Sequence, residues 1–153
     1  MQPKDVVPES QQQAQGAIVG LLKKSLSALP AGTVLDATRY GVAGSNSFCD
    51  DNDTKPTAAK HFQAVGELKL SAGTDPAAMV SRVGETWRSW GWRVEERDGF
   101  HKPNQFGYGP DGYRLQIIVA AREGYPPTLQ ASTPCFPGTI ARDDVDFPMQ
   151  LQA

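Results

Sequence analysis

The histidines and carboxylates are the residues of this chain that could do acid–base chemistry. The chain has two histidines, His61 in a segment of alternating apolar and polar residues and His101 in the loop sequence Gly-Phe-His-Lys-Pro-Asn. A small secreted hydrolase could pair either histidine with a carboxylate such as Asp36 or Asp98. Neither histidine has a partner at HExxH spacing, and the chain has no GxSxG motif. The pattern therefore favours surface histidines without a catalytic role, with the hydrolase as the alternative.

The two cysteines could bind a metal, remain as thiols or form a disulfide. Cys49 and Cys135 lie far apart, with no CxxC motif and no neighbouring histidine pair, which excludes zinc-ligand spacing. In a reducing compartment they would be free thiols, and the chain would then be a cytosolic regulatory module. Cys49 follows a Gly/Ser/Asn-rich loop and Cys135 lies between Pro134 and Phe136, outside any apolar helix. These positions favour a disulfide and an oxidising compartment.

The acidic run 50–53 is the only segment that begins like a calcium-binding loop. Counted from Asp51, the pattern fails where Pro56 replaces the turn glycine and where Phe62 replaces the last glutamate. We expect a solvated loop, and no metal or other cofactor.

Large aromatic side chains are concentrated in the second half of the chain. Trp87 and Trp90 have helical spacing, which predicts that they pack against a sheet. If the domain binds a ligand directly, we expect the site beside the sheet near Trp92, Phe106 and Tyr108, because small residues in 105–112 let a ligand approach the backbone. The alternative is that all three rings are buried and there is no pocket.

The elements that must position these residues follow the order helix, strand, strand, helix and then three or four strands. The predicted helices cover 11–29 and 75–90, 41–53 is expected to be a loop, and the tail after Phe136 is expected to be irregular. The predicted strands cover 33–42, 61–70, a segment starting at Trp92, 105–108, 113–121 and 128–135. This order predicts an α+β fold, a mainly antiparallel sheet with helix 75–90 packed across one face and the N-terminal helix adding cover.

Composition limits the classes of partner. The chain has 153 residues, with 15 basic and 17 acidic side chains, so there is no reason to expect a nucleic-acid surface. Its apolar stretches are too short to span a membrane. We expect residues 1–10 to be a flexible polar tether and residues 11–153 to form a single domain.

Three short motifs in this order resemble small secreted proteins and lipoproteins of actinobacteria. They are Trp87-x-x-Trp90-Gly91-Trp92-x-Val94, Asp111-Gly112-Tyr113-x-Leu115 and Ser132-Thr-Pro134-Cys135. The resemblance covers about residues 33–136, and the polar tether is similar to the linker that follows the lipid anchor of that family. It implies a secreted or lipid-anchored envelope domain, its signal peptide removed, with a disulfide between Cys49 and Cys135. Most members of that family have no assigned activity, so no catalytic residue is carried over.

These observations together predict a non-enzymatic cell-envelope protein. Its expected partner is an envelope protein or an apolar envelope component, and its contact with the membrane would be through an N-terminal lipid anchor.

Overall fold

The computed structural model describes residues 5–153, which form two α-helices and one antiparallel sheet of eight strands. The helices are α1 (Gln11–Leu26) and α2 (Pro76–Ser89). The strands are β1 (Val34–Asp36), β2 (Gly44–Phe48), β3 (Lys60–Lys69), β4 (Arg93–Glu95), β5 (Asn104–Tyr108), β6 (Arg114–Ile118), β7 (Thr128–Ser132) and β8 (Gln150–Leu151). The strand order is β4-β5-β6-β7-β3-β1-β8, with β2 also paired to β3. The predicted α+β class is confirmed.

Strand β3 pairs with β1, β2 and β7. Its side chains point alternately into the core and to the other face of the sheet. Phe62, Ala64 and Leu68 are buried among the side chains of the helices, as the alternation predicts. On the other face Glu67, expected nearer water, is only 5% exposed. Its carboxylate accepts from Arg39 at 3.1 Å and from Lys69 at 3.4 Å. These two cations explain how a charge is held at this position.

Both helices pack on one face of the sheet and begin at side-chain caps. The Ser10 hydroxyl accepts from the backbone N–H of Gln13, and the Asp75 carboxylate accepts from Ala77. The indole N–H of Trp87, buried in the core, donates to the hydroxyl of Ser25 at 3.0 Å. This bond joins α2 to α1 across the core.

Four predicted segments differ from the structure. The predicted strand 33–42 is shortened to β1, because the Asp36 side chain accepts from the backbone N–H of Thr38 and turns the chain into a 3-10 helix at Thr38–Tyr40. The predicted loop 41–53 contains β2, which pairs with the first half of β3. The predicted helix 11–29 ends at Leu26. The C-terminal tail, expected to be irregular, ends in β8, whose Leu151 enters the core.

The ends of the described chain lie against the domain. The backbone N–H of Val6 donates to the carbonyl oxygen of Asp111 at 2.8 Å, and Pro8 is buried. Residues 1–4 of the predicted tether lie outside the described residues. Within residues 5–153, neither helix combines the length and the apolar character needed to cross a membrane.

Cys49 and Cys135 form a disulfide, with their Cα atoms 6.4 Å apart. It joins the segment after β2 to the segment after β7, beside the isolated bridge between Lys60 and Phe136. The disulfide fits the expected oxidising compartment.

Candidate ligand-binding site

The face of the sheet opposite the two helices, here called the open face, carries polar and aromatic side chains in cross-strand rows. Phe106, Gln116 and Gln130 lie directly opposite one another on β5, β6 and β7. The next row is Tyr108, Arg114 and Ser132. Because side chains in a row lie close together across a sheet, these strands bring six side chains to one surface.

A cavity of about 200 Å³ lies on this face. Strands β3, β5, β6 and β7 and the loop after β4 supply its lining residues, which are His61, Gln63, Arg97, Phe100, Phe106, Gly107, Tyr108, Arg114, Leu115, Gln116, Gln130 and Ser132. Most of these residues are on paired strands, so their backbone positions are fixed by the sheet. The cavity is therefore built on rigid elements, apart from the rim contributed by the loop.

Three glutamines form a ladder across the floor of the cavity. The amide N–H of Gln116 donates to Gln130 at 3.3 Å, and Gln130 donates to Gln63 at 3.4 Å. Gln63 reaches the Ser47 hydroxyl at 3.5 Å. These bonds are long, and each amide has a second N–H and a second acceptor lone pair. The floor can thus both donate to and accept from a ligand.

Two polar atoms at the cavity lack hydrogen-bond partners. The Nδ1 atom of His61 and the hydroxyl of Tyr108 are buried, and neither bonds to any group within residues 5–153. A buried polar group without a partner is costly and calls for an explanation. Both residues line the cavity, so these unsatisfied groups belong to its walls.

The cavity has a positive charge although the chain as a whole carries a formal charge of −2. Arg97 and Arg114 line it, and none of its lining residues is acidic. Nearby, Glu95 pairs with Arg93 at 3.0 Å and with Arg97 at 3.7 Å. Burial lowers the pKa of His61, and the positive charge of Arg114 lowers it further. At neutral pH His61 is therefore uncharged, with one ring nitrogen donating and the other accepting.

Aromatic rings and arginines form one wall of the cavity. The rings of Phe100 and Phe106 lie 4.9 Å apart between centroids. The Arg97 guanidinium lies 5.3 Å from the Phe106 ring, and the Arg93 guanidinium lies 4.2 Å from the Tyr108 ring. Of the two arginines, Arg97 lines the cavity, where its cation–π contact favours a position against the Phe106 ring.

The structure brings together two of the three aromatic residues predicted to line a ligand surface. Phe106 and Tyr108 line the cavity. Trp92 does not, because its ring packs on the helix side, 5.5 Å from Trp90 and against the backbone of Gly107. In β4, Arg93 is paired with Tyr108, so alternation places its neighbour Trp92 on the opposite side of the sheet.

The residues proposed for a hydrolase are not brought together. His61 lines the cavity, while His101 is exposed on the loop before β5. The Asp36 carboxylate accepts from Thr38, and Asp98 pairs with Lys102. Within the described part of the chain, no hydrogen bond joins either histidine to a carboxylate. The same residues contain no cluster of three or more metal-ligating side chains.

Sequence reasoning missed the polar members of the site, Arg97, Arg114 and the three glutamines. For Arg114 and Gln116 the sequence does contain a usable pattern. The turn at 109–112 implies a hairpin that pairs 105–108 with the strand that follows it. Alternation then places Arg114 and Gln116 on the same face as Phe106 and Tyr108. For Gln63 and Gln130 the sequence carries no such signal, since the pairing of β3 with β7 is non-local.

Two larger depressions, each of about 520 Å³, lie beside the loop 120–126. They contain neither of the unpartnered polar atoms. The convergence of four strands and these two atoms distinguishes the open-face cavity.

Comparison of the chain with protein-family models, with curated protein sequences and with solved structures found no match.

Proposed function

We propose that this protein is an extracytoplasmic binding domain whose open-face cavity takes a small polar ligand. The observation that carries the proposal is the pair of unpartnered atoms, His61 Nδ1 and the Tyr108 hydroxyl, at a cavity floored by glutamine amides. Ligand sites commonly combine a concave surface with a few converging polar groups.

The composition of the cavity favours a polar ligand over the apolar envelope component considered from sequence. An apolar ligand would remove water from the amides of Gln63, Gln116 and Gln130 and from two arginines without replacing their hydrogen bonds, which costs free energy. The cavity has a volume of about 200 Å³. A ligand of this size is a single small molecule or one unit of a polymer.

The proposed location outside the cytoplasm is supported by the disulfide between Cys49 and Cys135. Disulfides persist in oxidising compartments and are rare in the cytosol. The resemblance to actinobacterial lipoproteins suggests the envelope, with an N-terminal lipid anchor as one means of attachment. Mass spectrometry of unreduced peptides from the native host tests the location, because two alkylatable thiols in freshly isolated protein would contradict it.

Ligand binding is tested by filling the cavity. Gln116→Trp places a large ring at the centre of the floor, and Gln12→Trp places the same ring on the exposed surface of α1 as the control. A library of small polar compounds is screened by saturation-transfer NMR against both variants and the wild type. We expect compounds that bind the wild type and Gln12→Trp but lose their signal with Gln116→Trp. Equal signals for all three proteins, or no bound compound at all, would overturn the proposal.

A further inference from the structure

We propose that the ligand is an acidic saccharide unit, a single sugar ring bearing a carboxylate or a phosphate, whose anionic group binds Arg114. This inference rests on the proposed function and specifies the chemistry of the ligand at the same cavity. Two features carry it, the charge at one end of the cavity and the neutral amides along its floor.

Arg114 is the cation of the cavity that has no anionic partner among the described residues. Arg93 and Arg97 share the carboxylate of Glu95. Arg114, by contrast, lies on β6 opposite Tyr108 and Ser132, which are neutral. Arg114 lines the cavity, and its positive charge is one of the causes that lower the pKa of His61 there. A guanidinium recognises carboxylates and phosphates through paired charge-assisted hydrogen bonds.

The Tyr108 hydroxyl lies in the same row as Arg114 and is buried without a partner. Because the hydroxyl has almost no accessible surface, it would donate to an anionic group held by Arg114 after a local side-chain movement exposes it. The site thus offers an oxyanion one charged donor and one neutral donor from adjacent strands.

The rest of the cavity suits hydroxyl groups. A glutamine amide both donates and accepts, and so does a sugar hydroxyl, so a saccharide can satisfy Gln63, Gln116 and Gln130 without a fixed direction of donation. Phe106 and Phe100 add an apolar wall against which the C–H face of a sugar ring can pack. The volume of about 200 Å³ fits one ring rather than an oligomer.

Isothermal titration with three sugars tests this inference. D-Glucose, D-glucuronate and D-glucose 6-phosphate are added, to concentrations on the order of 10 mM because a single ring has few atoms with which to bind. The proteins are the wild type, Arg114→Gln and Arg82→Gln, which removes an exposed arginine from α2 on the opposite side of the sheet. Circular dichroism verifies that both variants are folded.

In the wild type and Arg82→Gln we expect an acidic sugar to bind about five- to tenfold more tightly than glucose. Arg114→Gln should abolish this preference, so that glucose and the two acidic sugars bind with similar affinity. Because Arg114 is exposed, the preference should also weaken as salt is raised. The glucuronate and phosphate arms show which anion the site takes.

Failure of this inference is distinguishable from failure of the proposed function. If glucose binds and neither acidic sugar binds more tightly, or if Arg114→Gln keeps the preference, the assignment of an anion is overturned. If no sugar binds while Gln116→Trp still abolishes binding of other polar compounds, the assignment of a saccharide ligand is overturned and the proposed binding function stands. If Gln116→Trp abolishes no binding and no sugar binds, both fail.

Discussion

At the scale of single residues, His61 lines the candidate site and makes the stability of the fold depend on pH. Its pKa in the folded protein lies below 6.5, first because burial disfavours the imidazolium and second because of Arg114. The unfolded chain therefore binds more protons than the folded chain as the pH falls below about 6.5. This contribution to stability is present above that pH and is lost as the pH falls towards the pKa of the folded state.

We predict that His61→Asn makes the free energy of unfolding less sensitive to acid. Measured by urea unfolding between about pH 8 and pH 5, the wild type should lose stability relative to His61→Asn as the pH falls. His101→Asn, a substitution at the exposed histidine, should retain the wild-type pH dependence that His61 produces. The same pH profile for His61→Asn and the wild type would show that burial does not disfavour the charged form of His61.

A second prediction at this scale concerns the hydrogen bond between the helices. Ser25→Ala removes the acceptor of the buried Trp87 indole N–H. An unsatisfied buried donor costs about 1–3 kcal/mol, so the free energy of unfolding should fall by that amount. Ser81→Ala, on the exposed side of α2, is the control and should change it by less than ~0.5 kcal/mol. If both substitutions have the small effect, the bond does not contribute to stability.

At the scale of elements, the sequence predicts what depends on local pattern. The alternation of β3 and the capped amphipathic pattern of α2 are local, and both elements are confirmed. Strand β2 was missed because Gly-Ser-Asn-Ser-Phe has no alternating apolar pattern. It is a strand because β3 offers it a partner, with Gly44 fitting against the Phe62 ring. At the site, Phe106 and Tyr108 were predictable from the glycine-rich hairpin, whereas Gln63 and Gln130 meet only through non-local pairing.

The packing of α2 on β5 depends on the absence of a side chain at Gly107. A Cβ atom there would lie 2.9 Å from Cε3 of Trp87, whose rigid ring is confined in the core. We predict that Gly107→Ala lowers the free energy of unfolding by about 1–3 kcal/mol through overpacking. Gly16→Ala, in α1 where nothing lies within 4 Å, should raise it by about 0.5–1 kcal/mol. Thermal unfolding of both variants checks these opposite signs, and a stabilised Gly107→Ala would contradict the packing.

At the scale of the whole molecule, the disulfide links segments 86 residues apart in the sequence. By the chain-entropy account, closing so long a loop restricts the unfolded state and stabilises the fold. We predict that replacing Cys49 and Cys135 by serine lowers the free energy of unfolding by about 2–4 kcal/mol. Reductant should destabilise the wild type to a similar extent and leave the double variant unchanged. Equal stability of wild type and variant without reductant would contradict this role.

At the same scale, the arrangement of the helices leaves the open face of the sheet uncovered. Both helices cover one side of the sheet, and the side chains of the other side form a polar surface instead of a second core. The fold thus places the hydrophobic core on the helix side and the candidate binding site on the open face. Substitutions of exposed cavity residues such as Arg114 should therefore change binding more than stability.

The most direct test of binding at the open face is a map of backbone amide chemical shifts on addition of D-glucose and D-glucuronate. We expect the amide chemical shifts to change in three neighbouring strands, at residues 105–108, 114–116 and 130–132. The amide chemical shifts of α1 and α2 should not change. Shifts confined to the helices or to the loop 120–126 would contradict binding at the open face, and no shifts with either sugar would contradict the assignment of a saccharide ligand.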